Sequence, residues 1–576
     1  MPSKPTFEIG LTMAGAVSAG AYTAGVVDFL IEALDSWDAA KQRQAQGPQM
    51  EPLCPDHEVA LRVVSGASAG AIVGAIVAAN VDRQWTPAHA GNVNDPGLRN
   101  PFYQCWVKDI SLVALLGTKD LDTDAAPVSV LDGTALDVIA KSAFSFQAPA
   151  IHRCYVSNPL RCLFSLTNLT GVPFNYSLRG NTGLSQDLTM HADCMRFGVL
   201  NAGSAAAPSL RVASDASYEY PLAPCTDAKW NNAAWKRFAL AALASGAFPL
   251  GLRPRALERN TSDYSRILLA QADATGAPVA ISPAWPSAQD SKYPFLSVDG
   301  GCVSNEPLEL ARVELSGSPL LKNEREGTAA QKAMIMIDPF VGPSKPGPVT
   351  VADNTLVSAL FNLLGATIAQ ARFSAEDIAL AQNPAVFSRF MVAPRRPTPQ
   401  PLQAEGVPAE GQWLASGALG GFGGFLAEEF RAHDFLLGRR NCQQFLANHF
   451  TLPSDNPLFT GWRDEPLLRD YFGVPGTTPG SVELPIIPLV GSLHPRHGAA
   501  QSLPDWPLGA CNPDSLREPL LTRADALFKK LVAGHGLWGF LGNAAWQMYG
   551  RKKLSTWALE KLTTALVNQG LKSRSM

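Results

Sequence analysis

Ser68 sits in Gly66-Ala67-Ser68-Ala69-Gly70, a G-x-S-x-G that could present its hydroxyl as a nucleophile toward an ester carbonyl. Such a serine needs small residues two positions to either side. A larger side chain would collide with the tight backbone that lifts the hydroxyl clear of a sheet. Far along the chain, Asp299-Gly300-Gly301 could supply the base, because an aspartate at a strand end can take a proton from a serine directly while the glycines let the backbone come close. Near the start, Ala14-Gly15-Ala16-Val17-Ser18-Ala19-Gly20-Ala21-Tyr22 is a small-residue loop whose backbone N–H groups could hold an oxyanion. Each segment also has a plain structural use, as a tight turn, an Asp-Gly-Gly turn or a close strand-to-helix crossing.

The elements that would position these residues can be read beside them. Val59-Ala60-Leu61-Arg62-Val63-Val64 reads as a β-branched strand leading into the elbow, and Ala71 to Ala79 as a close-packing helix leading out of it. The N-terminus of that helix favours negative charge beside Ser68. Phe295-Leu296-Ser297-Val298 reads as a strand running into Asp299, and Phe7 to Met13 as one running into the Gly15 loop. Helices are expected over 20–37, 68–80, 131–145, 233–245 and 306–315. Their alternation with strands predicts an α/β fold with a mainly parallel sheet. The stretch 87–220, rich in Pro, Asn and Gly with strand-like pieces such as Arg161 to Leu166, is expected as an insertion between elbow and aspartate. Lys332 to Ile337 reads as a further buried strand that closes the core.

Taken in this order, the three segments resemble the patatin-like phospholipases, lipid acyl hydrolases that use a Ser-Asp dyad without histidine. Gly66, Ser68 and Gly70 match that family's nucleophile elbow, and Asp299-Gly300-Gly301 matches its D-G-[AG]. The family's G-G-G-x-[RK]-G followed by G-V-L corresponds in register to Gly15-Ala16-Val17-Ser18-Ala19-Gly20 and Gly25-Val26-Val27. Two glycines are replaced by Ala16 and Val17, and the basic residue by Ala19. Backbone N–H groups do not depend on those side chains. Ala244-Ser245-Gly246-Ala247-Phe248-Pro249 also looks like the family segment between elbow and aspartate. The resemblance covers roughly residues 1–340. It implies a three-layer fold with a mainly parallel central sheet, Ser68 and Asp299 as catalytic residues, Gly15 and Ala16 as oxyanion hole, and a lipid or acyl-ester substrate. No metal or other cofactor is expected, since serine, carboxylate and backbone dipoles fill every role, and no nucleic-acid partner is expected. Hydrolase and transacylase share all these residues.

Two rivals remain open in the sequence. A Ser-His-Asp hydrolase would draw on His433, His449, His494, His497 or His535, although only one convincing strand precedes the one carrying Ser68. A non-catalytic lipid-binding scaffold of the same fold would keep the architecture without turnover. A phosphate loop is excluded, because Gly15 to Gly20 is followed by Ala21-Tyr22 rather than Lys and Ser or Thr.

With 46% hydrophobic and 17% charged residues, the chain of 576 has ample apolar content for a large α/β core. Nine cysteines without paired or metal-ligand spacing do not read as a disulfide framework, which points to a reducing cytoplasm. The first strand begins at Phe7, so no signal peptide is expected. The apolar runs 63–81 and 238–252 are broken by Gly, Ser or Pro, and no transmembrane helix is expected.

Residues 341–576 are expected to form a mostly helical C-terminal region, with a helix near 354–372, Pro-rich connections over 343–348 and 394–408, and a Gly-rich turn over 417–424 before a helix reaching His433. Near the C-terminal end, Gly536 to Leu541 and Trp546 precede Arg551, Lys552, Lys553, Lys561, Lys572 and Arg574, faced by Glu560 alone. That makes about +5 on a chain whose total is -3. Rings beside cations suit either peripheral membrane contact or a packed helix with a solvated basic face.

Overall fold

The computed structural model describes residues 4–47, 54–122, 126–177, 185–201, 219–225, 227–272, 276–285, 291–340, 359, 363, 366–367, 370–371, 375–397, 413–476, 479–532 and 545–573. Its centre is a nine-stranded sheet. The strands in chain order are β1 (Thr6–Met13), β2 (Glu58–Gly66), β3 (Val156–Ser177), β4 (Ser185–Val199), β5 (Tyr220–Leu222), β6 (Arg255–Asn260), β7 (Ile267–Ala272), β8 (Pro278–Ile281), β9 (Lys292–Asp299), β10 (Lys332–Ile337) and β11 (Arg389–Val392). The spatial order β11-β10-β1-β2-β3 is parallel throughout. Beyond it β3 pairs antiparallel with both β4 and β9, β4 continues to β5, and β9 pairs with β6; β7 and β8 form a separate hairpin.

The period of two along a strand explains the three layers. On β10, Ile335 and Ile337 face one core while Met334 and Met336 face another; on β2, Val64 and Val63 divide the same way. The larger core packs the sheet against α1 (Gly20–Gln46), α2 (Ala69–Asn80) and α6 (Ala233–Ser245). In chain order the helices between α2 and α6 are α3 (Pro101–Tyr103), α4 (Leu112–Leu115) and α5 (Thr134–Phe144). The opposite face is covered by α7 (Leu308–Ser316) through Leu308, Ala311 and Leu315. The expected α/β fold with a mainly parallel sheet is thus present.

Two expectations about organisation change. The stretch 87–220, read as an insertion, supplies β3 and β4, and β3 lies directly beside β2. Polar residues disguise it: Arg161, on this buried strand, is partnered by Glu314 of α7 at 3.2 Å. Nor does the sheet end near residue 340, since β11 pairs with β10 and Phe387, Val392 and Phe435 share a core with Phe7 and Val27. The region after β11 is mostly helical, led by α8 (Glu428–Asn448), α9 (Arg517–Val532) and α10 (Arg551–Asn568), with a small antiparallel sheet at Thr451–Pro453, Val474–Pro475 and Val482–Pro485. Most of the helix expected over 354–372, and the aromatic run 536–541, lie outside the described residues.

Among the described residues one stretch, Val17–Gln46, is long and apolar enough to cross a membrane; here it is packed in the main core. All nine cysteines are free.

Candidate active site

β2 ends at Gly66 and α2 begins at Ala69, so the chain must reverse within two residues. Ser68 takes the strain, with φ 51° and ψ −122°. The turn closes only with glycine at its ends: a Cβ on Gly66 would lie 2.4 Å from the Gly70 carbonyl carbon, and one on Gly70 would lie 2.2 Å from the Met13 carbonyl oxygen. The Ser68 N–H donates to Ser245 Oγ at 2.9 Å, which ties the elbow to the end of α6.

Asp299 is the last residue of β9 and is buried with Ser68. Ser68 Oγ donates to Asp299 Oδ2 at 2.6 Å, across 231 residues of chain. The other carboxylate oxygen accepts the Gly301 N–H at 2.7 Å. The backbone of Asp299 is fixed on both sides, its N–H donating to Ala247 and its carbonyl accepting from Thr167 Oγ1 at 2.7 Å. Gly300 passes against the Ser165 carbonyl of β3, where a Cβ would stand 2.1 Å away. Burial pushes the carboxyl up from 3.8 to about 6, against the lowering effect of its hydrogen bonds to Ser68 and Gly301.

A folded-state carboxyl that holds its proton more tightly than the unfolded chain costs stability as pH rises from about 4 to about 6. Above that window the full cost is roughly 3 kcal/mol. Asp299→Asn is therefore expected to raise the unfolding temperature at pH 8, with the gain shrinking toward pH 5; thermal denaturation at the two pH values checks it, and no gain at pH 8 would contradict it.

Gly15 brings the N-terminal loop against the serine, since a Cβ there would lie 2.9 Å from Ser68 Cβ and 2.3 Å from Asn305 Oδ1. Of the two expected donors, Gly15 and Ala16, one is already engaged. The Gly15 N–H donates to the Asn305 carbonyl at 3.2 Å, whereas the N–H groups of Ala16 and Val17 have no protein partner among the described residues. This bond joins residues 290 positions apart, beyond the reach of any local pattern. Ser18, also on the loop, donates its hydroxyl to the Gly421 carbonyl and accepts the Gly424 N–H at 2.9 Å. The Gly-rich segment, folded as short turns over Ala415–Gly421 and Gly423–Leu426, thus straps the loop from the C-terminal region. Ser18, Ser245 and Thr167 carried no local signal of these contacts.

Behind the elbow lies an apolar cavity that begins one turn along α2 at Ile72 and Ile76 and continues past Trp106, Ile110, Leu136 and Leu243. Val17 packs with the last three of these, so the cavity adjoins the loop. None of the described late histidines meets Ser68 or Asp299 by a hydrogen bond. His433 is held by Asp434 at 2.7 Å and by Arg396, and His494 packs at a tilt against the rings of Tyr471 and His497. His535 lies outside the described residues.

The Patatin-like phospholipase family model matches residues 11–312, a span that takes in the Gly15 loop, the elbow and Asp299. The chain belongs to the patatin-like phospholipase family. An uncharacterized protein, y4iI, of Sinorhizobium fredii (strain NBRC 101917 / NGR234) is 36% identical, over 86% of this chain and 72% of its own length. Membership places the chain among hydrolases of lipid acyl groups. Against the family pattern the departure of most consequence is Val17: it stands where the family has its third glycine and keeps φ at 48°, a left-handed conformation that a β-branched residue rarely adopts.

Proposed function

We propose that this protein is a serine acyl hydrolase that cleaves lipid acyl esters through Ser68 and Asp299. The observation that carries this reading is the 2.6 Å hydrogen bond from a strained, elbow-borne serine to a buried carboxylate. Asp299 accepts the Ser68 proton as Oγ attacks the ester carbonyl, and the N–H groups of Ala16 and Val17 receive the oxyanion. The leaving alcohol takes that proton from Asp299 as the C–O bond breaks, leaving an acyl group on Ser68. Water then attacks the acyl-enzyme with Asp299 accepting its proton, and the fatty acid departs as Ser68 recovers its hydrogen. The α2 N-terminus adds favourable potential for the oxyanion.

A lipid acyl chain as substrate is supported by the apolar cavity beside the loop, whose lining includes Ile72, Trp106 and Leu243. The Ser-His-Asp rival finds no support in the surroundings of His433 or His494. A fluorophosphonate probe tests the proposal. Labelling is expected on Ser68, absent from Ser68→Ala, and faster as pH rises through about 6, where Asp299 loses its proton. An unlabelled wild-type serine would favour the scaffold.

A further inference from the structure

Two leucines beside the candidate site hold a backbone conformation leucine seldom adopts, and both face solvent. Leu250 has φ 65° and is 53% exposed, and Leu419 has φ 55° and is also exposed. Leu250 follows Ala247, whose carbonyl accepts the Asp299 N–H; Leu419 lies in the strap whose Gly421 accepts the Ser18 hydroxyl. Each therefore marks a loop that holds one half of the site. An isolated exposed leucine needs no explanation, but Leu250 has company. Its carbonyl accepts the Val130 N–H at 2.8 Å, which sets the exposed Val130 and Val128 beside it.

The basic C-terminal helices are tied to the same edge. Arg523 of α9 donates to the Val130 carbonyl at 2.8 Å and the Ser129 carbonyl at 3.1 Å, and pairs with Asp120. Phe528 of α9 stacks on Trp546 just before α10, and Trp546 Nε1 donates to Asp525 at 2.7 Å. From there Tyr549, Lys553, Trp557 and Lys561 follow at a spacing of four, one exposed helix face on which the two rings are 72% and 57% exposed. Lys552, Lys553 and Lys561 are exposed and form no ion pair among the described residues.

We propose that this edge is a docking face for an anionic phospholipid surface: Leu250, Val130 and Val128 enter the acyl boundary beside the site, while Tyr549 and Trp557 sit at headgroup level and the α10 lysines contact anionic headgroups. Charge complementarity selects the partner, because cations flank exposed rings on a chain of net charge -3. The proposal rests on the acyl-hydrolase reading for its purpose and not for its test. Removing the tail is the wrong test, since Leu566 and Leu571 are buried with Ala415 and Gln569 Nε2 donates to Leu414 at 2.7 Å. Charge reversal leaves that packing in place.

The full chain carrying Ser68→Ala, which cannot consume the lipid, is mixed with vesicles of phosphatidylcholine alone or with added phosphatidylglycerol and sedimented. Preferential binding to the anionic vesicles is expected, weakened about a hundredfold by Lys552→Glu, Lys553→Glu and Lys561→Glu together and reversed by salt. Val128→Asp with Val130→Asp is expected to release the protein from vesicles while, in the chain with Ser68 intact, hydrolysis of a soluble short-chain ester stays unchanged. Equal binding by wild type and both variants, or no preference for the anionic vesicles, would overturn the proposal. So would conversion of a dimer to a monomer by Leu250→Asp without loss of vesicle binding, which would give the face to a second copy. Failure of the acyl-hydrolase reading shows separately, as no short-chain ester hydrolysis by wild type.

Discussion

Ser68→Ala is expected to lower kcat about a millionfold and Asp299→Asn about a hundred- to ten-thousandfold, with both chains still folded. The alanine has no oxygen to carry the acyl group. The asparagine cannot accept a proton, although its side-chain oxygen can still receive the Gly301 N–H that holds Asp299 at 2.7 Å. The Ser68→Ala loss should exceed that of an oxyanion donor, which costs about a hundred- to thousandfold. Steady-state hydrolysis of a short-chain ester measures all of them. Thermal denaturation of Asp299→Asn separates a loss of activity from a loss of fold.

Gly25→Ala is expected to destabilise the fold by about 3 kcal/mol or more, the upper range for forcing atoms into a packed interior. At this crossing α1 and α8 meet backbone to backbone. A Cβ on Gly25 would stand 1.9 Å from the Phe435 carbonyl oxygen, and one on Gly438 would stand 2.2 Å from that of Tyr22. Neither obstacle is the movable end of a side chain, so the helices must separate. Separation would also strain the buried pairing of Arg439 with Asp28 and Glu32, which locks α8 to α1 just beyond. Since α1 begins where the Gly15 loop ends, activity should fall with stability. Urea denaturation beside Gly47→Ala checks this, because a Cβ on Gly47 meets nothing within 4 Å and should cost under about 0.5 kcal/mol.

The parts of this molecule legible in its sequence are those written locally. The elbow could be read because its glycines, its serine and the apolar runs on either side fall within one strand-turn-helix, and α6 occurs at 233–245 as its pattern predicts. Asp299 could be read because a strand leads directly into it. What escaped depends on residues far apart in the chain. Gly25 gave no hint that Gly438 would meet the same helix. Ser18 gave none that Gly421 and Gly424 would strap it. That the Gly15 N–H is already occupied could not be read, because the carbonyl that takes it belongs to Asn305. β3 was mistaken for part of an insertion because polar residues such as Arg161 and Thr167, which find buried partners in Glu314 and the Asp299 carbonyl, break the expected apolar run.

The central claim, a dyad without histidine, is tested most directly by kcat/KM for short-chain ester hydrolysis in Asp299→Asn beside alanine replacements of His433, His449, His494, His497 and His535, each first shown to be folded. The dyad predicts a loss of at least about a hundredfold in Asp299→Asn and near-wild-type values in every histidine variant. A folded histidine variant that falls as far as Asp299→Asn would contradict it.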